Sequence, residues 1–143
     1  ERVNRATDSV AGYSSRPLVA KLDLKPGFRV LLDGAPRDFP ALLAPLPEGA
    51  RLVTPRTRSA DAAILCVTSV QRLGERFPQV AAKLPPAGLL WVAWPKKSSG
   101  VVTDLTEDKV RAIGLAAGLV DVKVCAITEI WSGLKFVRRL KDR

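Results

Sequence analysis

Residues 61–69 have the sequence Asp-Ala-Ala-Ile-Leu-Cys-Val-Thr-Ser, and this stretch decides the fold class. Its apolar side chains run almost without a break, which is typical of a strand in a parallel sheet that is covered on both faces. Ser69 predicts the N-cap of a helix, which Pro78 interrupts and the prolines at 85–86 end. A buried strand followed directly by a helix indicates the repeating unit of an α/β protein.

The same alternation extends in both directions along the chain. Further strands are predicted at residues 28–32, 51–54 and 89–94, and short helices at 15–22 and 39–44. Asp104 and Glu107 resemble a capping box that begins a helix ending at Gly118. Two strands then follow, at 120–127 and 134–139, with a polar turn around Ser132-Gly133. We therefore predict an α/β three-layer sandwich with a mainly parallel sheet and a C-terminal antiparallel strand pair.

Length and hydropathy predict a single domain without a membrane-spanning segment. The 143 residues match one domain of about 150 residues, with a flexible arm at 1–12 and a single α/β domain at 13–143. No apolar run approaches the roughly 18 residues of a membrane span, and no signal peptide opens the chain. We expect a cytoplasmic protein in which Cys66 and Cys125, both in apolar runs, are core residues.

Composition excludes several kinds of chemistry. Histidine is absent, which excludes His-containing catalytic triads and His-ligated metal centres, and two cysteines alone cannot hold a structural zinc ion. No metal site is predicted, and no carboxylate pair stands out as acid and base, so catalytic residues stay unassigned. The formal net charge is +9, but residues 30–134 contribute only +2 of it, with 12 basic against 10 acidic side chains. Most of the basic surplus therefore belongs to the two ends.

Ligands of open parallel sheets bind beyond the carboxyl ends of the strands. Three predicted strand ends carry polar groups or a nearby aromatic side chain, namely Asp33-Gly34, Thr68-Ser69, and Trp94 followed by Lys96-Lys97-Ser98-Ser99. The last loop combines two ammonium groups and two hydroxyls, which suit a phosphate, although a solvated basic loop is the alternative. Thr68-Ser69 fits helix capping as well as ligand binding, and Asp33 fits either a ligand hydroxyl or its own turn. Trp94 fits either core packing or base stacking.

These segments carry a family resemblance. Residues 24–33, 61–65 and 84–90, a helix ending at Gly118 and the closing strand pair resemble class I S-adenosylmethionine-dependent methyltransferases in a shortened form. More closely, residues 94–107, 118–125 and 129–136 resemble a small bacterial family described as a domain of unknown function, over residues 13–139. The resemblance implies a Rossmann-like fold rather than an activity.

Two departures from working methyltransferases bear on function. One glycine, Gly34, stands where such enzymes have a glycine-rich turn, and the basic Arg56 and Arg58 stand where an acidic residue takes the ribose hydroxyls. The leading hypothesis is a degenerate, non-catalytic domain that binds an anionic small molecule or nucleic acid. Its predicted contacts are Asp33, Arg56, Lys96, Lys97, Ser98 and Ser99.

Two alternatives stay open. The first is a methyltransferase that uses S-adenosylmethionine in an atypical site near Asp33, Thr68 and Ser69. The second is a scaffold whose basic residues 135–143, as an edge strand, pair with a partner or lie along RNA. The same charges at an edge would equally serve to prevent aggregation.

Overall fold

A computed structural model describes residues 16–143, so the predicted arm at residues 1–12 and the predicted cap at Ser15 lie outside the described part. Residues 16–143 contain four α-helices and six strands. The helices are α1 (Leu18–Lys21), α2 (Phe39–Leu42), α3 (Val70–Ala81) and α4 (Glu107–Ala116). The strands are β1 (Arg29–Asp33), β2 (Arg51–Val53), β3 (Ala62–Cys66), β4 (Leu89–Pro95), β5 (Leu119–Ala126) and β6 (Trp131–Arg138).

All six strands form one sheet in the order β2-β1-β3-β4-β6-β5. Strands β1 to β4 are parallel, and β6 runs antiparallel to both of its neighbours, β4 and β5. This arrangement confirms the predicted α/β fold with a C-terminal antiparallel strand pair. Strands β2 and β5 form the two edges of the sheet.

Two apolar clusters cover the two faces of the sheet. Helices α3 and α4 pack on one face, around Phe77 and Val110, whereas Leu22 and Phe39 bring α1 and α2 to the other. Trp91 and Trp94 belong to opposite clusters, as their odd spacing in a strand requires. The Trp91 indole Nε1 donates to the Leu22 carbonyl at 2.9 Å, which fixes the end of α1 to the sheet.

Two helix predictions are wrong in detail. Pro78 does not interrupt α3, which runs through it; Pro78 and Gly74 are exposed, so water can satisfy the Gly74 carbonyl that loses its usual donor. Asp104 does not cap α4, because Thr106 takes that place and accepts from the Lys109 N–H at 3.2 Å. Asp104 instead contacts the beginning of α3, at the carboxyl ends of the strands.

The predicted turn at Ser132-Gly133 is also wrong, because both residues lie inside β6. The hairpin turn is at residues 127–130, where the Thr128 hydroxyl accepts from the Trp131 N–H at 3.0 Å. Gly133 has a packing role: a Cβ there would lie 2.8 Å from the Ile127 side chain and 3.1 Å from the Trp91 ring. The glycine therefore marks a close approach inside the core rather than a turn.

The basic C-terminal stretch is not an edge strand, so that part of the scaffold hypothesis is wrong. Strand β6 lies between β4 and β5. Lys135 pairs with Asp23 at 2.9 Å, and Arg138 donates to the Ala81 carbonyl at 2.8 Å. These charges hold α1 and the end of α3 against the sheet. Within residues 16–143, no helix has the length and apolar character needed to cross a bilayer.

Candidate functional site

The structure brings the three predicted strand ends together. Strands β1, β3 and β4 are adjacent and parallel, so the residues after Asp33, Cys66 and Pro95 emerge on one side of the sheet, which we call the carboxyl edge. Arg56 follows β2 on the same side, but three strand spacings separate β2 from β4, about 14 Å. Arg56 therefore follows a strand that is not adjacent to β4.

Asp33 ends β1 in a buried ion pair. Its Oδ2 accepts from Arg76 Nε at 2.8 Å and from Nη2 at 2.7 Å, and the two side chains are only 7% and 16% exposed. Arg76 comes from α3, and its remaining nitrogen donates to the Gln79 side chain. The predicted hydroxyl acceptor is thus engaged by an arginine 43 residues away in sequence.

Gly34 and Cys66 lie in contact beside this ion pair. Gly34 has a left-handed backbone (φ +74°), and a Cβ there would collide with the Cys66 carbonyl oxygen. The glycine allows the ends of β1 and β3 to approach closely. Burial, and secondarily the negative charge of Asp33, raises the pKa of the Cys66 thiol to about 12.

This shift predicts alkaline sensitivity. The pKa of an unfolded cysteine is about 8.5, whereas the pKa of folded Cys66 is about 12. The protonated Cys66 thiol contributes its full share of the free energy of unfolding below the unfolded pKa. As the pH rises from the unfolded pKa toward the folded pKa, this share is lost by up to about 1.4 kcal/mol per pH unit. Urea unfolding at increasing pH should therefore show a shallower fall for Cys66→Ala than for the wild type. Parallel curves would contradict the assignment.

Thr68 and Ser69, after β3, are tied to the loop that precedes α4. The Ser69 hydroxyl accepts from the Arg72 N–H at 3.1 Å, which confirms the predicted N-cap. Asp104 accepts from the Val70 N–H at 2.8 Å, and the Thr103 hydroxyl donates to the Thr68 carbonyl at 2.6 Å. A carboxylate of this chain therefore occupies the beginning of α3, where a bound anion would otherwise be stabilised.

The loop after β4 forms a tight turn that presents its lysines. Residues 97–99 make one turn of 3-10 helix, which Gly100 ends with φ +80°. The Ser99 hydroxyl donates to the Lys96 carbonyl at 2.6 Å and accepts from the Val101 N–H at 3.1 Å, so it shapes the turn. Lys97 and Ser98 are exposed, and in residues 16–143 neither the Lys96 nor the Lys97 ammonium group has an ion-pair partner. We call residues 96–99 the lysine turn.

Trp94 and Arg56 lie differently from the lysine turn. Trp94 is 5% exposed and packs in the cluster beneath α3 and α4, which favours the core interpretation of this residue. Arg56 is exposed, and its backbone N–H donates to the Thr54 hydroxyl at 3.3 Å. Its ligand role stays a prediction, as do those of the other candidate residues.

Sequence reasoning missed a cleft beside the lysine turn. It has a volume of ≈ 420 Å³ and lies between the loop after β1, the chain after the lysine turn and the β5–β6 turn. Most of its lining is apolar or aromatic: Pro36, Phe39, Leu42, Val101, Ile130 and Trp131. Asp38, Thr128 and Glu129 add two carboxylates and a hydroxyl. Leu42, Val101 and Ile130 are exposed apolar side chains. They come together only because the hairpin turn lies at residues 127–130, so sequence patterns alone could not locate the cleft.

Comparison with solved structures identifies the fold as methyltransferase-like. The chain is similar to a SAM-dependent methyltransferase from Aquifex aeolicus, with TM-score 0.64 and 14% identity over 83% of this chain and 86% of that chain. It is also similar to magnesium protoporphyrin IX methyltransferase from Synechocystis PCC 6803 with bound SAH, with TM-score 0.56 and 13% identity over 85% and 78% of the two chains. A putative methyltransferase from Thermoplasma acidophilum gives TM-score 0.57 and 11% identity over 91% and 80%. No family model and no curated protein matches the chain.

The residues at the carboxyl edge do not fit S-adenosylmethionine in the usual manner. Asp33 is bound by Arg76, and the beginning of α3 is bound by Asp104 and Ser69. The helix after β1 has only four residues, and basic side chains follow β2 where an acid takes ribose hydroxyls in dinucleotide-binding folds. In residues 16–143, no group of three or more histidine, cysteine or carboxylate side chains is placed to hold a metal ion.

Proposed function

We propose that this chain is a non-catalytic methyltransferase-like domain that binds a phosphate-bearing ligand at the lysine turn. The observation that carries the proposal is the pair of ammonium groups, Lys96 and Lys97, without a carboxylate partner in the described residues, at the edge where α/β sheets bind ligands. The Ser98 hydroxyl is exposed beside them. Ammonium and hydroxyl donors of this kind bind phosphate oxygens.

Two carboxylates at the carboxyl edge support the proposal, because internal contacts already engage them. Asp33 binds Arg76, and Asp104 binds the backbone of Val70. Neither is left to neutralise the lysine turn. Arg56, which follows β2 on the far side of β1 and β3 from the lysine turn, would contact a second phosphate of a longer ligand such as a single-stranded nucleic acid.

The same contacts support the non-catalytic part of the proposal. Methyl transfer by this fold requires the cofactor, and side chains of the chain itself engage the two positions predicted to lie nearest to it, Asp33 and the beginning of α3. The chain also contains no histidine to act as a base at neutral pH. A ligand at the carboxyl edge would therefore be bound without being methylated.

Titration with inorganic pyrophosphate and with a short single-stranded RNA tests the proposal. At low salt, Lys96→Glu/Lys97→Glu should weaken binding of both ligands at least about tenfold, because two attractive charges become repulsive. Lys25→Glu/Lys141→Glu is the matched control, since it makes the same charge change at two exposed sites outside the carboxyl edge. Isothermal titration calorimetry gives the affinities.

Three results would count against the proposal. If both double variants weaken binding equally, the affinity depends on net charge and not on the lysine turn. If neither pyrophosphate nor RNA binds, there is no phosphate site at the lysine turn. A clear rise of the melting temperature with S-adenosylmethionine would overturn the non-catalytic part, since a ligand at 100 times its Kd adds about 2.7 kcal/mol. Binding of RNA but not pyrophosphate, abolished by Arg56→Glu as well, would support a nucleic acid as the ligand.

A further inference from the structure

The lysine turn and the apolar cleft share a wall. The Lys96 N–H donates to the Ile130 carbonyl at 2.8 Å, and Pro95 lies opposite Trp131 in the β4–β6 ladder. On the other side of the turn, Val101 both bonds to the Ser99 hydroxyl and lines the cleft. A molecule held by its phosphate at the turn would therefore have the cleft directly beside it.

The chemistry of the cleft differs from that of the turn. Phe39, Trp131 and aliphatic side chains form most of its lining, and its volume of ≈ 420 Å³ is within the usual range for small-molecule sites. The carboxylates of Asp38 and Glu129 are hydrogen-bond acceptors and carry negative charge. A phosphate inside the cleft would be repelled, whereas a flat, uncharged group with N–H donors at its edge would be bound.

We infer that the cleft takes the base of the phosphate-bearing ligand, which makes the ligand a nucleotide whose base presents N–H donors. The inference rests on the proposed phosphate site at the lysine turn. An aromatic base stacks on side chains such as Trp131, and its amino groups donate to the two carboxylates. Guanine offers a ring N–H and an amino group side by side, which match the two oxygens of one carboxylate. The carboxylates thus select the base while the lysines hold the phosphate.

Three compounds separate the two halves of the site. GMP carries base and phosphate, guanosine carries only the base with its sugar, and ribose 5-phosphate carries only the phosphate with its sugar. GMP should bind at least about tenfold more tightly than either fragment. Asp38→Asn/Glu129→Gln should weaken GMP about tenfold without weakening ribose 5-phosphate, whose phosphate loses two repulsive charges nearby. Both carboxylates are exposed, and in residues 16–143 neither side chain has an ion-pair partner, so the variant should fold. Glu48→Gln, in the turn before β2, is the control.

The outcomes distinguish failure of the base site from failure of the phosphate site. Equal affinity for GMP and ribose 5-phosphate would overturn the base site and leave the phosphate site standing. Binding of guanosine that Asp38→Asn/Glu129→Gln abolishes, with no binding of ribose 5-phosphate, would support the cleft and overturn the lysine turn. No binding of any of the three would overturn both. Weakening of GMP by Glu48→Gln to the same extent as by the cleft variant would also overturn the base site.

Discussion

Arg76→Met should reduce the free energy of unfolding by about 3–5 kcal/mol, the cost of leaving one member of a buried ion pair without its partner. The Asp33 side chain is 7% exposed, and the two strong contacts to its Oδ2 both come from Arg76. Methionine keeps an apolar stem of similar length and removes the charged group. A loss of this size is a large part of the stability of an ordinary domain.

Arg72→Met gives the matched control. Arg72 lies one turn earlier on α3, with its side chain 58% exposed and 3.9 Å from Glu75, so its loss should cost less than about 1 kcal/mol. The double variant Asp33→Leu/Arg76→Met should recover most of the loss, because it removes both charges. Urea unfolding of the four proteins measures these differences. Equal costs for Arg72→Met and Arg76→Met would show that Asp33 does not depend on Arg76, and would restore Asp33 as a free ligand contact.

The sheet could be predicted because its signals are local. The continuous apolar runs that became β3 and β4 are buried along their whole length, as a strand covered on both faces must be. The Ser69 hydroxyl caps α3 by accepting from the N–H of Arg72, three residues later. Such contacts depend on adjacent residues, so the sequence pattern contains them.

The candidate site depends on contacts that are distant in sequence. Arg76 reaches Asp33 from 43 residues away, and Asp104 reaches Val70 across 34 residues. From sequence alone, Asp104 fitted a local capping box, and nothing indicated that it would instead bind the preceding helix. The cleft was not predicted because the hairpin turn was assigned to Ser132-Gly133 instead of residues 127–130. Packing against Trp91 explains that glycine, and packing has no local pattern.

Gly34→Ala should reduce the free energy of unfolding by about 2–5 kcal/mol, as the sum of left-handed backbone strain and a steric clash. The added Cβ meets the carbonyl oxygen of Cys66, a backbone atom that cannot rotate away, so the ends of β1 and β3 must separate. Gly27→Ala is the control, because Gly27 has nearly the same φ, +77°, with no atom within 4 Å of the added Cβ. It should cost only the backbone strain, about 1–2 kcal/mol.

The difference between the two alanine variants therefore measures the close approach of β1 to β3, and urea unfolding of both proteins gives it. If the difference is large, the single glycine after β1 is explained by packing of the chain against itself, without a cofactor. If both variants cost the same, the contact at Cys66 is relaxed, and Gly34 would again need a ligand to explain it. A Gly34→Ala protein that stays folded should also lose part of the Asp33–Arg76 interaction, because the displaced end of β1 carries Asp33. In that background Arg76→Met should cost less than in the wild type, an interaction that a double-mutant cycle detects.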